Sequence, residues 1–217
     1  MSIWCVLVPV KRLDRAKTRL HASRPDGTLI DRPALALAFA SDVVIAALAA
    51  DRVAHVVVVT DDDFAARTLT ALGAQVVPDS PDAGINPALA HGCDVAIQRW
   101  PGLGVAALSS DVPSARAADI DAALEVAQGW PGASFLADTS GIGTTMLMAP
   151  LADDFAPNFG KRSRAAHRAA GLREIKDEHL FRLRRDVDTA VDLWDARRIG
   201  VGSHTAGLLD SQFPTRS

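Results

Sequence analysis

Ile3-Trp4-Cys5-Val6-Leu7-Val8-Pro9-Val10, followed at once by Lys11-Arg12-Leu13-Asp14-Arg15-Ala16-Lys17-Thr18-Arg19-Leu20, decides how the rest of the chain is read. An unbroken, valine-rich apolar run of this length fits a strand buried on both faces, as in a parallel sheet. The segment that leaves it carries five cations. A basic loop directly after the first strand of an α/β domain suits a polyanion, because such folds bind ligands beyond the carboxyl ends of their strands. The loop matches neither GxxxxGK[ST] nor GxGxxG, so a phosphate would be gripped by Lys11, Lys17 and Arg19 side chains with some backbone N–H groups. A solvated basic turn is the competing reading.

Outward from this point strands and helices alternate. Further strand-like runs are His55–Thr60, Ala74–Val77, Val105–Ser109, Ser134–Ala137 and Thr145–Met148. Helices are expected from Asp31-Arg32-Pro33 to about Ala50, over Phe64–Leu72, from Asn86 to Arg99, over Ala117–Gln128 and Ser163–Ala170, and from Thr189 to Ile199. Proline near a first turn and glycine just past a last turn (Gly73, Gly129, Gly171, Gly200) mark their bounds. This alternation predicts a mostly parallel sheet with helices on both faces. Residues 1–203 are read as one domain and 204–217 as a loosely held tail.

A chain of 217 residues with 48% hydrophobic content can build a real core. The net charge of −3 disfavours non-specific nucleic-acid binding. Cys5 and Cys93 fit neither a zinc spacing nor a CxxC pair, so free thiols in a reducing compartment are expected. No leader or membrane-length apolar run is recognisable, which points to a cytoplasmic protein with no membrane partner.

The carboxylates come later. Asp111, in Ser109-Ser110-Asp111-Val112-Pro113, follows an apolar run and should stand at the carboxyl edge of a strand. Its alternative is an N-cap. Asp186 and Asp188, in Arg184-Arg185-Asp186-Val187-Asp188-Thr189, point the same way if extended. Asp111 and Asp186 are the expected Mg²⁺ ligands, while Asp188 is either a ligand or a helix cap. Two carboxylates on a triphosphate-bound divalent ion would serve in-line phosphoryl displacement.

Asn158-Phe159-Gly160-Lys161-Arg162-Ser163-Arg164-Ala165-Ala166-His167-Arg168 carries cations and no acid, so it suits a phosphate or carboxylate unless it is an exposed basic face. Gly141-Ile142-Gly143-Thr144-Thr145 offers hydroxyls and amides, or else is a tight hairpin. Asn86 and Gly92 stand where a helix start could read a nucleobase or ribose, although asparagine is a common cap. Thr60-Asp61-Asp62-Asp63 ends a strand and caps the next helix, which leans to a structural role, with a small allowance for ribose or metal contact. The histidines show no metal-ligand spacing.

Together these segments resemble the 2-phospho-L-lactate guanylyltransferase family, whose bacterial branch includes phosphoenolpyruvate guanylyltransferases. The likeness runs from Val8 to about Gly202. It is carried by Val10-Lys11-Arg12-Leu13, Ala16-Lys17-Thr18-Arg19-Leu20, Phe159-Gly160 with Ser163 and His167-Arg168, and Asp186-Val187-Asp188-Thr189. It implies a Rossmann-like three-layer α/β/α nucleotidyltransferase fold of the glycosyltransferase-A type. It also implies transfer of GMP from GTP to a three-carbon phospho-acid with release of pyrophosphate, in biosynthesis of the deazaflavin coenzyme F(420). A downstream transferase of that pathway would receive the product. In that reading Lys11, Lys17 and Arg19 hold the triphosphate, and Asn86 and Gly92 lie near the guanosine. Asp111 and Asp186 hold Mg²⁺, and Thr144, Gly160 and Ser163 hold the phospho-acid. Ile85, where the family often has leucine, and Lys161-Arg162 depart from the pattern near the acceptor. A cytidylyl- or molybdopterin-type nucleotidyltransferase and a non-catalytic GTP-binding protein are the alternatives.

Overall fold

The computed structural model describes residues 4–16, 20, 31–80 and 83–210. Its strands are β1 (Trp4–Pro9), β2 (Val53–Val59), β3 (Gln75–Val77), β4 (Gly104–Leu108), β5 (Ser134–Ala137), β6 (Thr144–Ala149) and β7 (Arg173–Glu174). They form one sheet in the order β3-β2-β1-β4-β6-β5-β7. β1 pairs in parallel with β2 and β4, and only β6 runs against its neighbours. That reversal is local: β5 turns straight back into β6 through a short hairpin instead of a helical crossover.

The helices are α1 (Arg32–Leu48), α2 (Asp63–Ala71), α3 (Ile85–Arg99), α4 (Ala117–Gln128), α5 (Ser163–Ala169), α6 (Ala190–Ile199) and α7 (Ser203–Asp210). The two-residue period of β1 divides the core. Trp4, Val6 and Val8 pack with α1 and α4 on one face, while Cys5 and Leu7 pack with α3 on the other. Each such side chain, fully out of water, contributes about 1.5–3 kcal/mol of burial free energy. The result is a three-layer α/β/α sandwich with a mostly parallel sheet, as the alternation predicts. Cys5 and Cys93 are buried and unbridged, and burial pushes both thiols up to about 12.

A third, smaller cluster lies outside the two sheet faces. Leu20 joins Leu35 and Phe39 of α1, Leu193 and Ala196 of α6, Leu209 of α7, and Val187 just ahead of α6. This corrects the expected loose tail from His204, because Ser203–Asp210 is a helix with Leu209 only 3% exposed. Its first turn is capped from afar. The Asp42 carboxylate on α1 accepts from the N–H groups of His204 and Thr205, each at 2.9 Å. A cap supplied by a distant residue leaves no signal in the local sequence. β7 escaped the sequence reading for another reason: two residues are too short to show alternation.

No described helix is long and apolar enough to cross a membrane.

Candidate active site

Strand order reverses between β1 and β4, since the chain builds β2 and β3 to one side of β1 and β4 to the other. A cavity of about 510 Å³ opens there, at the carboxyl ends of the strands. Lys11, Arg12 and Arg15 line one part of it, and Asp111 and Asp188 another. The basic loop is held by backbone bonds as well as by packing. Val10 N–H donates to the Val59 carbonyl at 2.9 Å, and Leu13, itself buried, donates its N–H to Asp62 Oδ2 at 2.9 Å. Asp62 Oδ1 caps α2 by accepting from Phe64 and Ala65. Burial opposes ionisation of Asp62, but these N–H donors and nearby Arg12 hold its carboxyl below the usual range. The structural leaning for Asp62 is therefore right, and it ties α2 to the cationic loop. Lys17 and Arg19 lie outside the described residues.

The carboxylates converge from two distant segments. Ser109 N–H donates to Thr145 at 2.8 Å as the chain leaves β4, and Val187 N–H donates to the Asp111 carbonyl at 3.0 Å. Burial first, then the charges of Asp111, Asp138 and Asp188, push the Asp186 carboxyl up to about 7. Thr189 is the cap of α6, in a reciprocal capping box with Asp192. Asp188 is thus released from the capping role left open by the sequence, and it stands on the cavity wall with Asp111. Among the described residues no three His, Cys, Asp or Glu side chains form a ready metal cage. The donor set is hard oxygen, pooled beside a cationic cleft. It fits Mg²⁺, which takes one or two carboxylates and completes its shell with phosphate and water.

Thr144 touches a buried histidine on α5, the helix that Ser163 begins and Gly160 precedes. His167 sits fully buried on α5, its ring 5.3 Å from Phe135 and edge-on to Phe159 at 5.4 Å. Asn158 N–H donates to His167 Nε2 at 3.0 Å, and Thr144 Oγ1 lies 2.9 Å from Nδ1. Since Nε2 accepts, Nδ1 carries the ring proton of the neutral imidazole and donates to Thr144. The Thr144 hydroxyl keeps its own proton for another acceptor. Burial lowers the His167 pKa to about 4, consistent with that neutral form. Gly160 adopts φ 139°, a conformation that L side chains avoid, and Ser163 N–H closes the turn on the Gly160 carbonyl at 3.2 Å. The Gly141–Thr145 loop is the hairpin: Asp138 accepts from Ser140 Oγ and from the N–H groups of Ile142 and Gly143 at 2.8–2.9 Å.

Asn86 and Gly92 are placed differently from the expectation. Asn86 makes a two-way bridge to the Phe159 backbone, Nδ2 donating at 2.9 Å and Oδ1 accepting at 2.7 Å. Its side chain braces the Gly160 loop. Gly92 faces the sheet, where an added Cβ would come within 2.9 Å of Val59 Cγ2. It permits close helix–strand packing in the apolar interior. Neither is among the described residues lining the cavity, whereas Asp61, Asp79 and Ile85 are. Arg12, Arg15 and Asp79 are charged wall residues to which the sequence reading gave no role of their own, and Asp61 is one for which it leaned to structure. Their signal was position, at the carboxyl ends of β1, β2 and β3.

Comparison with known proteins agrees with this architecture. A crystal structure from Desulfovibrio desulfuricans, described as a nucleotide-diphospho-sugar transferase, superposes with a TM-score of 0.71 at 19% identity, over 97% of this chain and 95% of that one. A cytidylyltransferase from Leptospira borgpetersenii does so at 0.57 and 14% identity, over 97% and 94%. Both show the nucleotidyltransferase-like fold. A relative in Thermomonospora curvata named phosphoenolpyruvate guanylyltransferase is 51% identical over 94% of this chain and 88% of its own length. One of the same name in Streptomyces coelicolor is 49% identical over 94% and 95%. The model of the family described as "Guanylyl transferase CofC like" matches residues 4–211, and with relatives so similar across both lengths the chain belongs to that family.

Proposed function

We propose that this protein transfers GMP from GTP to phosphoenolpyruvate in a Mg²⁺-dependent reaction, as a step in making the deazaflavin coenzyme F(420). The observation that carries the reading is the switch-point cavity, with cations from the β1 loop on one wall and Asp111 and Asp188 on another. The names of its half-identical relatives supply guanylyl transfer and phosphoenolpyruvate. Lys11, with Lys17 and Arg19 farther along the sequence, holds the triphosphate, and Arg12 and Arg15 add charge. An oxygen of the acceptor phosphate attacks the α-phosphorus; the new P–O bond forms as the α–β bridging P–O bond breaks, and pyrophosphate leaves. Mg²⁺ held by Asp111 and Asp186, with Asp188 beside them, would supply charge neutralisation on the phosphates.

The acceptor phosphate is already a nucleophile, so no covalent enzyme intermediate is needed, and the protein's work is positioning and charge stabilisation. The proton that His167 leaves on Thr144 suits the acceptor carboxylate, with Gly160 and Ser163 completing that pocket. The test is pyrophosphate release from GTP with Mg²⁺ and, in parallel, phosphoenolpyruvate, 2-phospho-L-lactate or 3-phospho-D-glycerate. The product is trapped by the downstream transferase and identified by mass. Release with phosphoenolpyruvate alone supports the reading, release with another acid reassigns the acceptor, and none with any acid overturns the reaction.

A further inference from the structure

With Asn86 and Gly92 engaged elsewhere, the base of the donor nucleotide needs another reader, and the cavity offers one. The wall runs across four strand ends, from Asp111 after β4, past Lys11 after β1, to Asp61 after β2 and Asp79 after β3. Three strand spacings make roughly 14 Å, about the reach of a nucleotide from its phosphates to the far edge of its base. If the triphosphate lies on the cations, the base falls at the Asp61 end, between the apolar side chains of Val59, Ile85 and Ala88.

Asp61 is prepared for a hydrogen-bonding task there. Its Oδ1 accepts from the Asp79 N–H at 2.8 Å, which fixes the carboxylate, and among the described residues its Oδ2 accepts nothing. A second feature complements it. The first turn of α3 has no side-chain cap, and Gly84 and Ile85 of that turn line the same cavity, so backbone N–H donors stand at its wall. The pairing edge of guanine presents one acceptor, O6, followed by two donors, N1–H and the 2-amino group. A carboxylate set near uncapped amides matches that order. Adenine, with a donor where guanine has O6 and an acceptor at N1, meets it with both positions reversed.

We propose that Asp61 is the guanine-selecting residue, its carboxylate accepting from N1–H and the 2-amino group of the base. This rests on GTP being the donor. Asp61 is exposed, and a bound base would cover it; a site built to hydrogen-bond a group then rejects analogues that lack it, because the covered polar partner is left unpaired.

The experiment is calorimetric binding of GTP, ITP, XTP, ATP and 2′-deoxy-GTP to the wild-type protein and to Asp61→Asn and Asp61→Ala, with no acceptor present. Wild type should bind GTP roughly ten- to a hundredfold more tightly than XTP or ATP. Asp61→Asn, whose amide can donate to the 2-oxo group of xanthine, should invert the GTP-to-XTP preference. Asp61→Ala should lose the selectivity without gaining XTP, and both variants should keep the wild-type ratio of GTP to 2′-deoxy-GTP. An unchanged GTP-to-XTP ratio in Asp61→Asn overturns the assignment while leaving GTP as the donor. Selective loss of the 2′-hydroxyl preference instead moves Asp61 to the ribose and likewise overturns it. A wild-type protein that favours no guanine nucleotide removes the donor assignment itself, and this inference with it.

Discussion

The backbone N–H of Val187 donates to the carbonyl of Asp111 across 3.0 Å, joining the strand-end loop to a segment far along the chain. Val187 buries its side chain in the third hydrophobic cluster. In an extended segment its neighbours Asp186 and Asp188 must then point the opposite way, toward Asp111. One hydrogen bond and one buried valine thus hold like charges together; burial first, and then their repulsion, raises the Asp186 pKa. Such repulsion persists only where something else is gained, and the Mg²⁺ proposed above would supply that gain.

Asp111→Asn tests this arrangement in two opposite directions. Pyrophosphate release should fall by at least about a hundredfold, a loss typical of removing a metal ligand or its positioning partner. In EDTA the melting temperature should hold or rise, because the substitution removes a charge that destabilises ionised Asp186. A variant with normal turnover takes Asp111 out of the site. One that melts well below wild type without metal makes it a structural residue.

His167 gives a pH prediction. Its folded pKa of about 4 lies below the ordinary value of 6.5, so between these values the unfolded chain binds the extra proton. Its contribution to stability is therefore fully present above pH 6.5 and is lost as pH falls to about 4, roughly 3 kcal/mol across the window. Denaturant unfolding of wild type at pH 7.0, 5.5 and 4.5 should show the decline. His167→Gln should be less stable at neutral pH and should lack that part of the slope. An identical slope in the variant assigns the acid sensitivity to other groups.

The layout of the sheet, β7 apart, was legible because its strands are apolar runs and each helix begins or ends on proline, glycine or a short polar residue. What escaped depends on partners distant in sequence. Asp42 capping α7 and Asn86 bracing Phe159 are contacts that no local pattern encodes. Asn86 shows the limit well: a helix start was the right location, but the side chain turns to a loop far along the chain. His167 shows it too, since lack of metal-ligand spacing says nothing about a histidine that orients a threonine.

Gly92→Ala separates packing from nucleotide contact. The added methyl would press on Val59 Cγ2 at 2.9 Å, in a layer where Leu7 also stands close. Overpacking of this kind costs roughly 1–3 kcal/mol, against about 1 kcal/mol regained in helix propensity. The variant should melt a few degrees lower than wild type. At a temperature where it is folded, its affinity for GTP should be unchanged. A wild-type melting temperature with weakened GTP binding would return Gly92 to the nucleotide site.

Asn86→Ala removes both hydrogen bonds to the Phe159 backbone. Each contributes about 1 kcal/mol, and their loss leaves the Phe159 N–H and carbonyl to find water. That backbone leads directly into Gly160 and Ser163, and on its other side Asn158 N–H is anchored on His167. Loosening it should displace the acceptor pocket and leave the cationic loop untouched, because Val10 and Leu13 are held from β2 and Asp62. Steady-state kinetics should then show the KM for the phospho-acid rising about tenfold while the KM for GTP stays within about twofold. The reverse split, with GTP affinity lost and the acceptor KM kept, is what a base-reading asparagine would give. That outcome would require Asn86 to leave Phe159 when nucleotide binds.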